Sequence, residues 1–406
     1  MDDPRASAMP FGGHARGSHA YRRLLAALFF AGIATFAQLY SPQATLPEIA
    51  SEFDVDAAAS ALTISAATLG LAVGVIPWSA VADRLGRVRA MTIAITTATV
   101  FGLAVPFTPW FGMLLAGRFV EGLMIGGVPA VAIAYLTEEV EPRSAARAAG
   151  TYVAGTTIGG LSGRLIAGPA GQWLGWRTGV LAVAIVCAAS AIAFIALAPH
   201  PRGFAPSRGG SPLRTLLQQL VTHLRAPRQL ALYAQALALM GGFVAMYNFL
   251  TFRLEAAPFA LAPGATALIF LAYLAGTWSS ARAGALASRF GRMPVLLVSA
   301  TLMGAGVLVT LIDALPVVIA GLLVATAGFF GAHAVASGWT GADAVTGRAQ
   351  ASSLYNLFYY VGSSVFGWLG GVFFAAAGWN GAALMIVALV AVAMLVAALA
   401  LRARAT

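Results

Sequence analysis

The feature that most constrains this chain is a series of continuous apolar segments, separated by short breaks that carry most of the charge. A membrane-spanning helix needs about 20 apolar residues, and many of the segments reach that length. Only 9% of the 406 residues are charged, whereas soluble domains carry about 25%, so a soluble enzyme is excluded. The segments do not alternate apolar and polar residues as barrel strands do. The sequence therefore predicts an all-α membrane protein.

Twelve segments fit membrane spans, and the longest break divides them into six and six. We predict an N-terminal tail over 1–21, which is polar and expected to be disordered, and a C-terminal tail over 402–406. Between them lie a six-helix bundle over 22–198, a linker over 199–228 whose residues 213–224 fit an amphipathic surface helix, and a second six-helix bundle over 229–401. The predicted spans are 22–46, 58–82, 89–108, 111–136, 145–170, 176–198, 229–252, 264–287, 293–312, 315–338, 349–375 and 379–401.

Positive charge is distributed unequally between the two sets of loops. All 24 basic residues are arginines, and 20 of them fall on one side when the N-terminus is placed on that side. Only Arg177 and Arg253 fall on the opposite side, and Arg118 and Arg164 lie within spans. Because basic loops mark the cytoplasmic side of a membrane protein, we predict that both termini are cytoplasmic.

The two halves also resemble each other in sequence. Three groups of residues recur at offsets of 205, 207 and 203, and such regularity indicates duplication. Parallel six-helix repeats are an architecture of transporters, in which substrate binds between the halves near mid-depth. The matching groups are Asp83-Arg84-x-Gly86-Arg87 with Ser288-Arg289-x-Gly291-Arg292, Phe36 and Tyr40 with Phe243 and Tyr247, and Tyr152, Gly159 and Gly168 with Tyr355, Gly362 and Gly371.

The charged loop after the second span carries the most specific motif. It resembles the major facilitator superfamily signature Gly-x-x-x-Asp-Arg-x-Gly-Arg-Arg, with Ser79 in place of the first glycine and Val88 interrupting the basic pair. The resemblance implies two bundles that rock to alternate access, and an inner gate at this loop. Asp83 would lie near the start of span 11, and Arg87 would pair with an acid after span 4. The implied gate residues are Asp83, Arg84, Gly86 and Arg87, a weaker second copy at Ser288, Arg289, Gly291 and Arg292, and the candidate acids Glu138, Glu139 and Glu141.

Span 4 carries an arginine and an acid within its apolar run. Charges inside a span are costly and are functional candidates by default. Arg118 and Gly122 resemble a superfamily signature associated with proton coupling, with Glu121 where glutamine is usual. Arg118 and Glu121 are three residues apart and can share one helix face. Glu121 is the only carboxylate that falls deep within a predicted span, and a buried acid of tunable pKa suits a proton carrier. Glu121 is therefore the candidate proton site, while a purely structural ion pair remains open.

Span 5 is rich in glycine and contains a second intramembrane cation. Its pattern resembles that of the drug:proton antiporter branch, except that Arg164 replaces the proline and Ala167 replaces a glycine. We predict that Gly155, Gly159 and Gly163 let span 5 pack closely on span 8. Arg164, at a depth near that of Glu121, would pair with Glu121 or with an anionic substrate. The patterns in spans 5 and 11 also resemble a subgroup of bacterial inner-membrane transporters.

Polar and aromatic residues of several spans are candidates for the substrate cavity. A histidine titrates near neutral pH, so His333 could contribute to coupling, although a lone histidine is more often simply packed. Glu255 and Asp313 fall near outer ends of spans and are predicted to be solvated. The cavity candidates are Gln38, Tyr40, Gln43, Tyr247, Asn248, His333, Tyr355, Asn356 and Tyr359.

Taken together, the residues predict a multi-pass secondary transporter of a bacterial inner membrane rather than an enzyme. The favoured activity is proton-coupled export of a small organic or amphipathic molecule, with Glu121 binding the proton and Arg118 and Arg164 tuning it. Uptake of a sugar or organic anion by symport or uniport is the alternative, and a non-transporting membrane sensor is a further one. We expect no metal and no cofactor other than the proton, a small-molecule substrate, the lipid bilayer as surroundings, no nucleic acid, and a functional monomer.

Overall fold

A computed structural model describes residues 11–204 and 212–401. Outside these ranges lie residues 1–10 of the N-terminal tail, the linker residues 205–211, and the C-terminal tail 402–406 with Arg402 and Arg404. Arg5 and Arg208, which contribute to the charge asymmetry of the loops, also lie outside the described residues. The described chain is almost entirely α-helical.

The first half contains six spans, of which the first and fourth are interrupted. Span 1 continues past its helix through a 3-10 turn, Ser41–Thr45, into the short helix Leu46–Phe53. Span 4 breaks before Pro129, because proline cannot donate the hydrogen bond that a continuous helix requires. The helices are span 1 His19–Tyr40, span 2 Ala57–Leu85, span 3 Arg87–Ala104, span 4 Phe111–Ile125 and Pro129–Glu139, span 5 Pro142–Leu174 and span 6 Trp176–Leu197.

The second half follows the amphipathic helix Pro212–Arg225, which confirms the surface helix predicted in the linker. Span 8 begins with the short helix Pro263–Thr266 and a 3-10 segment, Ala267–Ala272. Spans 11 and 12 run as one helical segment, Arg348–Ala400, broken only at Ala377 and Gly378. The other helices are span 7 Pro227–Glu255, span 8 Tyr273–Phe290, span 9 Arg292–Val309 and span 10 Leu315–Asp343.

The predicted number of spans agrees with this architecture. Ten described segments are long and apolar enough to cross a membrane, with spans 11 and 12 counted together. Span 5 is not among the ten, since glycine and threonine make it less apolar, but at 33 residues it is long enough to cross. The all-α fold is thus confirmed, and the twelve helices follow once span 5 and the break at Gly378 are included.

The end of the N-terminal tail is ordered against span 4, contrary to the prediction of disorder. The backbone N–H of His14 donates to the carbonyl of Glu139 at 2.7 Å, and the N–H of Glu141 donates back to His14. Span 1 begins at His19, capped by the side chain of Ser18. Backbone pairing with an exposed helix end is a long-range contact that composition does not reveal.

The two halves meet along two pairs of spans. Spans 2 and 11 form one contact and spans 5 and 8 form the other. Both contacts lie toward the face that carries few arginines, which we call the arginine-poor face; the opposite face, which carries the loops at Asp83 and Ser288, is the arginine-rich face. The region between the halves, from these contacts to the arginine-rich face, is where the candidate residues collect.

Candidate functional site

The charged loops at the arginine-rich face adopt the same turn in both halves. Gly86 has φ +88° and Gly291 has φ +87°, a region that residues other than glycine rarely adopt. Each glycine ends one span and begins the next within a single residue. The positive φ at Gly86 recurs at Gly291, which supports the duplication inferred from the sequence.

Ion pairs differ between the two loops. Arg87 donates to Asp83 at 2.5 Å and to Glu138, at the end of span 4, at 2.8 Å. At the offset of 205, the counterpart of Glu138 is Asp343, which contacts Arg228 at 3.3 Å. Arg292 is exposed and forms no ion pair with any described residue. Arg87 therefore joins spans 2, 3 and 4 of the first half, whereas the second loop lacks such a contact.

Contacts between spans 2 and 11 are polar and lie near the arginine-poor face. Ser65 donates to the carbonyl of Ser364 at 2.8 Å, and the hydroxyls of Thr68 and Ser364 share a hydrogen bond at 2.7 Å. A Cβ on Gly371 would overlap Ala58, so the helices touch backbone to backbone there. This contact closes the arginine-poor face.

Near the opposite ends of these spans, no described hydrogen bond or ion pair joins the two halves. Asp83 has a side chain that is 54% exposed and is paired only within its own half. Leu85 of span 2, Leu286 of span 8 and Asn356 of span 11 are also exposed. The structure is therefore closed at the arginine-poor face and open at the arginine-rich face.

Arg118 and Glu121 form a buried ion pair inside the first half. Their side chains are 1% and 0% exposed, and Arg118 Nη1 donates to Glu121 Oε2. Arg118 also donates to backbone carbonyls of Thr63 at 3.2 Å and of Gln38 at 3.2 Å. The guanidinium thus joins spans 1, 2 and 4, while Glu121 Oε1 has no hydrogen-bond donor among the described residues. The acid is fully buried, and Gln38 is its other polar neighbour.

Gln38 lies beside this pair and not in the cavity where it was predicted. It is buried, and its side-chain amide donates to the carbonyl of Ala98 in span 3 at 2.6 Å. A position on span 1 that faces span 3 cannot also face the second half. Gln38 therefore contributes to the surroundings of Glu121 rather than to a surface between the halves.

Arg164 lies between the halves and does not pair with Glu121, one of the two partners predicted for it. Its side chain is 2% exposed. Nε donates to Gln43 Oε1 at 2.7 Å, Nη1 to the carbonyl of Gly160 at 2.7 Å, and Nη2 to the hydroxyl of Tyr273 at 3.1 Å. Every one of these acceptors is neutral. No described carboxylate forms an ion pair with this guanidinium.

Three aromatic rings surround the guanidinium of Arg164. Its Cζ lies 4.5 Å from the ring centroid of Tyr40, 4.9 Å from that of Phe270 and 4.8 Å from that of Tyr273. A desolvated cation–π contact contributes about 2 kcal/mol, whereas burying a charge costs several kcal/mol. The rings and neutral acceptors reduce that cost but leave the positive charge without a counter-ion.

A chain of amides extends from Arg164 across the molecule. Gln43, which accepts from Arg164, donates through Nε2 to Asn248 Oδ1 at 2.7 Å. Asn248 donates in turn to the carbonyl of Gly367 at 3.4 Å. Spans 5, 1, 7 and 11 are thereby connected. Tyr40, Gln43 and Asn248, predicted as cavity residues, are buried in this network.

Aromatic side chains form a continuous wall in the second half, which we call the aromatic wall. Phe243 stacks on Phe329 with centroids 3.9 Å apart and contacts Tyr273 at 5.4 Å. Phe329 stacks on His333, which lies 4.9 Å from Tyr359. The wall therefore runs from the residue that contacts Arg164 to side chains nearer the open face.

The remaining cavity candidates flank this wall. Tyr355 contacts His333 Nδ1 through its hydroxyl at 3.1 Å, and Asn356 is exposed at the open end of span 11. Tyr247 is buried and shares a hydrogen bond with Thr326 at 2.8 Å. Tyr359 and His333 are partly exposed, so these two are the candidates that a ligand entering between the halves can contact first.

The glycines of span 5 pack on span 1 and not on span 8, which corrects the prediction. A Cβ on Gly155, Gly159 or Gly163 would overlap the backbone of span 1 at Phe29, Ile33 or Ala37. Contact with span 8 is made further along, where Gly168 meets Ala267. Small residues show that a helix face is closely packed, but they do not identify the neighbour.

Glu255, at the arginine-poor face, is less solvated than predicted, and it has an acidic neighbour there. Glu255 at the end of span 7 and Glu48 in the helix Leu46–Phe53 are partly buried and interact electrostatically with each other. Both carry carboxylate oxygens that have no hydrogen-bond partner among the described residues. Glu48 and Glu255 are 207 positions apart, the same offset as between Phe36 and Phe243. This offset is a signal in the sequence that identifies the two acids as a symmetric pair.

Comparison with known proteins agrees with this architecture. Residues 28–284 match the profile of the Major Facilitator Superfamily. The chain is 39% identical over 382 residues to the inner membrane transport protein YnfM of Escherichia coli (strain K12), covering 94% of this chain and 91% of YnfM. It is 35% identical over 379 residues to an uncharacterized MFS-type transporter, YybF, of Bacillus subtilis (strain 168), covering 93% of each.

A solved structure shows the same fold at low identity. A bacterial homolog of the human lysosomal transporter Spinster, in an inward-facing and unoccupied conformation, matches with a TM-score of 0.75 and 16% identity. The match covers 94% of this chain and 95% of that one. The family resemblance predicted from the loop motif is confirmed by the profile match and by the identity to YnfM.

Proposed function

The chain belongs to the major facilitator superfamily of secondary transporters, and we propose that it exports a small organic molecule across a bacterial inner membrane in exchange for protons. The arginine-rich face would be cytoplasmic, with both termini on that side. The structure then corresponds to the state that is open to the cytoplasm. Transport would proceed by rocking of the two halves about the region between them.

The observation that carries the proposal is the buried Arg118–Glu121 pair. Glu121 is fully buried inside the first half, and one of its oxygens has no donor. A carboxylate held in this way can accept a proton at that oxygen, and protonation would weaken its attraction to Arg118. Because Arg118 also bonds spans 1 and 2, a change in this pair would reach the helices that move against the second half.

Contacts between the halves support alternating access. Within the apolar contact of spans 2 and 11, the side chains of Ser65, Thr68 and Ser364 form a seam of hydrogen bonds between the helices. Hydroxyl groups can exchange such bonds for bonds to water when the seam opens, at a net cost of about 1 kcal/mol for each. In the opposite state, Asp83 and Arg87 would close the arginine-rich face, as the resemblance implies.

Purified protein in liposomes that enclose a pH-sensitive dye provides the test. With the lumen acidic, benzenesulfonate, benzamide or tetraphenylphosphonium is added outside as an anionic, neutral or cationic aromatic probe. Exchange for protons makes the lumen more alkaline, symport makes it more acidic, and uniport changes nothing. Net uptake of a radiolabelled probe that proceeds without any proton movement would overturn proton coupling, and acidification would overturn exchange.

Uptake of an organic anion is the second candidate function. The observation that favours it is Arg164, a buried cation without a carboxylate partner. Symport of an anion with protons gives acidification in the same liposome assay, so the sign of the pH change separates the two candidates. Nothing in the region between the halves favours a sugar over an anion.

A further inference from the structure

We propose that Arg164 and the rings around it bind the carboxylate of a planar aromatic acid, whose ring lies along the aromatic wall. The inference rests on the proposed transport function only for its physiological role, because binding can be measured without a proton gradient. It goes beyond that function by naming the substrate class and the residue that selects it.

The first step is the charge at Arg164. An arginine has five N–H donors, and three of those of Arg164 are used, all by neutral acceptors. Two donors remain, and no described carboxylate balances the charge. Arg118, by contrast, is neutralised by Glu121. A buried guanidinium that keeps free donors and net charge is suited to a carboxylate, which can accept two parallel hydrogen bonds.

The second step is the position of the site across the two halves. Tyr40 and Gln43 of span 1 lie on one side of Arg164, and Phe270 and Tyr273 of span 8 lie on the other. The site is therefore complete only while the arginine-poor face is closed. An anion bound here would stabilise that closed arrangement, because ligand binding favours the state that contains the complete site.

The third step is the route from the open face. Tyr359, His333, Phe330 and Tyr273 are partly exposed. The ring centroids of Phe330 and Tyr273 lie 5.6 Å apart. Tyr273 is uncharged, and its ring and hydroxyl cover the guanidinium of Arg164. A planar ring can stack on this surface in offset or edge-to-face geometry. Rotation of Tyr273 would place the carboxylate of such a ligand against the free donors of Arg164.

The alternative is that Arg164 only holds the closed face together. Its bond to Tyr273 and its contact with Phe270 do connect the halves. A purely structural arginine, however, would not distinguish an anion from a neutral molecule of the same shape. Benzoate and benzamide differ in charge and share their ring, so they separate the two interpretations.

The test uses thermal unfolding of the full chain in detergent micelles. Cys187 is the single cysteine of the chain and is buried, so a thiol-reactive fluorophore reports unfolding without an added label. At saturating concentration, benzoate should raise the unfolding midpoint by about 2–4 °C, and benzamide should leave it unchanged. Arg164→Gln should weaken the binding of benzoate at least about tenfold. The control Arg282→Gln removes an exposed arginine that stacks on Trp278 and should bind benzoate as the wild type does.

Each outcome decides the proposal. Measurements on the wild-type protein are sufficient to overturn the proposal: equal stabilisation by benzoate and benzamide would do so, and so would no stabilisation by either compound. Stabilisation by benzoate that persists in Arg164→Gln also overturns it. Should Arg164→Gln fail to fold, Arg164→Lys keeps the charge but loses the two parallel donors, and its benzoate affinity should still fall. Proton coupling without a preference for anions would overturn this inference and leave the proposed function intact. Anion binding without proton movement would support this inference and overturn the proposed proton exchange.

Discussion

The two halves of this transporter repeat the same fold but divide the chemistry between them. In the first half, Arg118, Glu121 and Arg164 lie deep in the spans and are almost completely buried. In the second half the corresponding positions, at offsets of 205 and 203, are Leu323, Thr326 and Gly367. The gate loop shows the same difference, since the acid Asp83 of the first half corresponds to the neutral Ser288 of the second half. Among the described residues, each of these charges has a neutral counterpart.

The second half carries aromatic surface instead. Phe329 and His333 of the aromatic wall correspond to Met124 and Val128 of the first half. Rings select ligands by shape and polarisability, whereas buried charges respond to protons and counter-ions. With the proposed function, the difference suits a division in which one copy of the fold serves coupling and the other ligand shape. Predictions that separate these two roles test the division directly.

The largest effect is expected from Glu121→Gln. Removal of the carboxylate that we propose binds the proton should reduce proton movement to the level of protein-free liposomes while exchange of a bound probe continues. Asp313→Asn is the matched control, since it removes an exposed acid at the arginine-poor end of span 10. The dye-filled liposome assay measures both variants. Normal proton movement in Glu121→Gln would make the buried acid structural.

A large effect on stability is expected from Arg118→Met. The variant leaves Glu121 buried without its cation, which should cost about 3–5 kcal/mol of unfolding free energy. The double variant with Glu121→Met removes both charges and should recover most of that loss. Denaturant titration in mixed micelles gives the coupling energy by a double-mutant cycle. Additive losses in the double variant would show that the two side chains do not stabilise each other.

A smaller effect, confined to ligand binding, is expected from Phe329→Leu. Loss of its stacking on Phe243 and His333 should weaken benzoate binding by about 2–10-fold, equivalent to one aromatic pair. Proton movement per molecule transported should not change. Met124→Leu at the corresponding position of the first half should leave benzoate binding as it is. Equal effects of the two substitutions would contradict the division of roles.

The smallest effect is expected at the gate loops. In the structure open at the arginine-rich face, Asp83 pairs only with Arg87 of its own half. The family resemblance implies that Asp83 helps to close this face in the opposite state, so Asp83→Asn should shift the balance toward the open state and lower transport by about 2–5-fold. Ser288→Asp supplies the missing acid near Arg292 and should shift the balance the opposite way. Transport rates are compared at matched expression. An unchanged rate in Asp83→Asn would remove this loop from the gating mechanism.

Much of the fold could be predicted from the sequence, because its signals are local. The length of the apolar segments predicts the spans, and Gly86 predicts the turn between spans 2 and 3. The spacing of Arg118 and Glu121 on one helix face was sufficient to predict their contact, since residues three apart on a helix are neighbours. These features depend on short stretches of chain, so one sequence contains the information.

Features that depend on packing between distant spans were predicted less well. Gly155 and Gly159 gave a close-packed face but not its neighbour, which is span 1. Arg164 was recognised as a buried cation, yet its neutral surroundings come from spans 1 and 8, which no local pattern connects. The position of Glu255 at the end of a span predicts that it is solvated, whereas in the structure it interacts with Glu48, its counterpart in the first half. Tertiary placement determines all three.

The glycine contact between spans 1 and 5 has a mechanical consequence. With no side chain between the two backbones, these helices pack closely along this stretch, and separating them would open a void and lose many packing contacts, so we expect them to move as one rigid unit. Spin labels on spans 1 and 5 should therefore keep a constant separation throughout the transport cycle, while labels on spans 5 and 8 should move apart. The distance between labels on spans 1 and 5 can therefore serve as a fixed reference for every other distance change in the molecule.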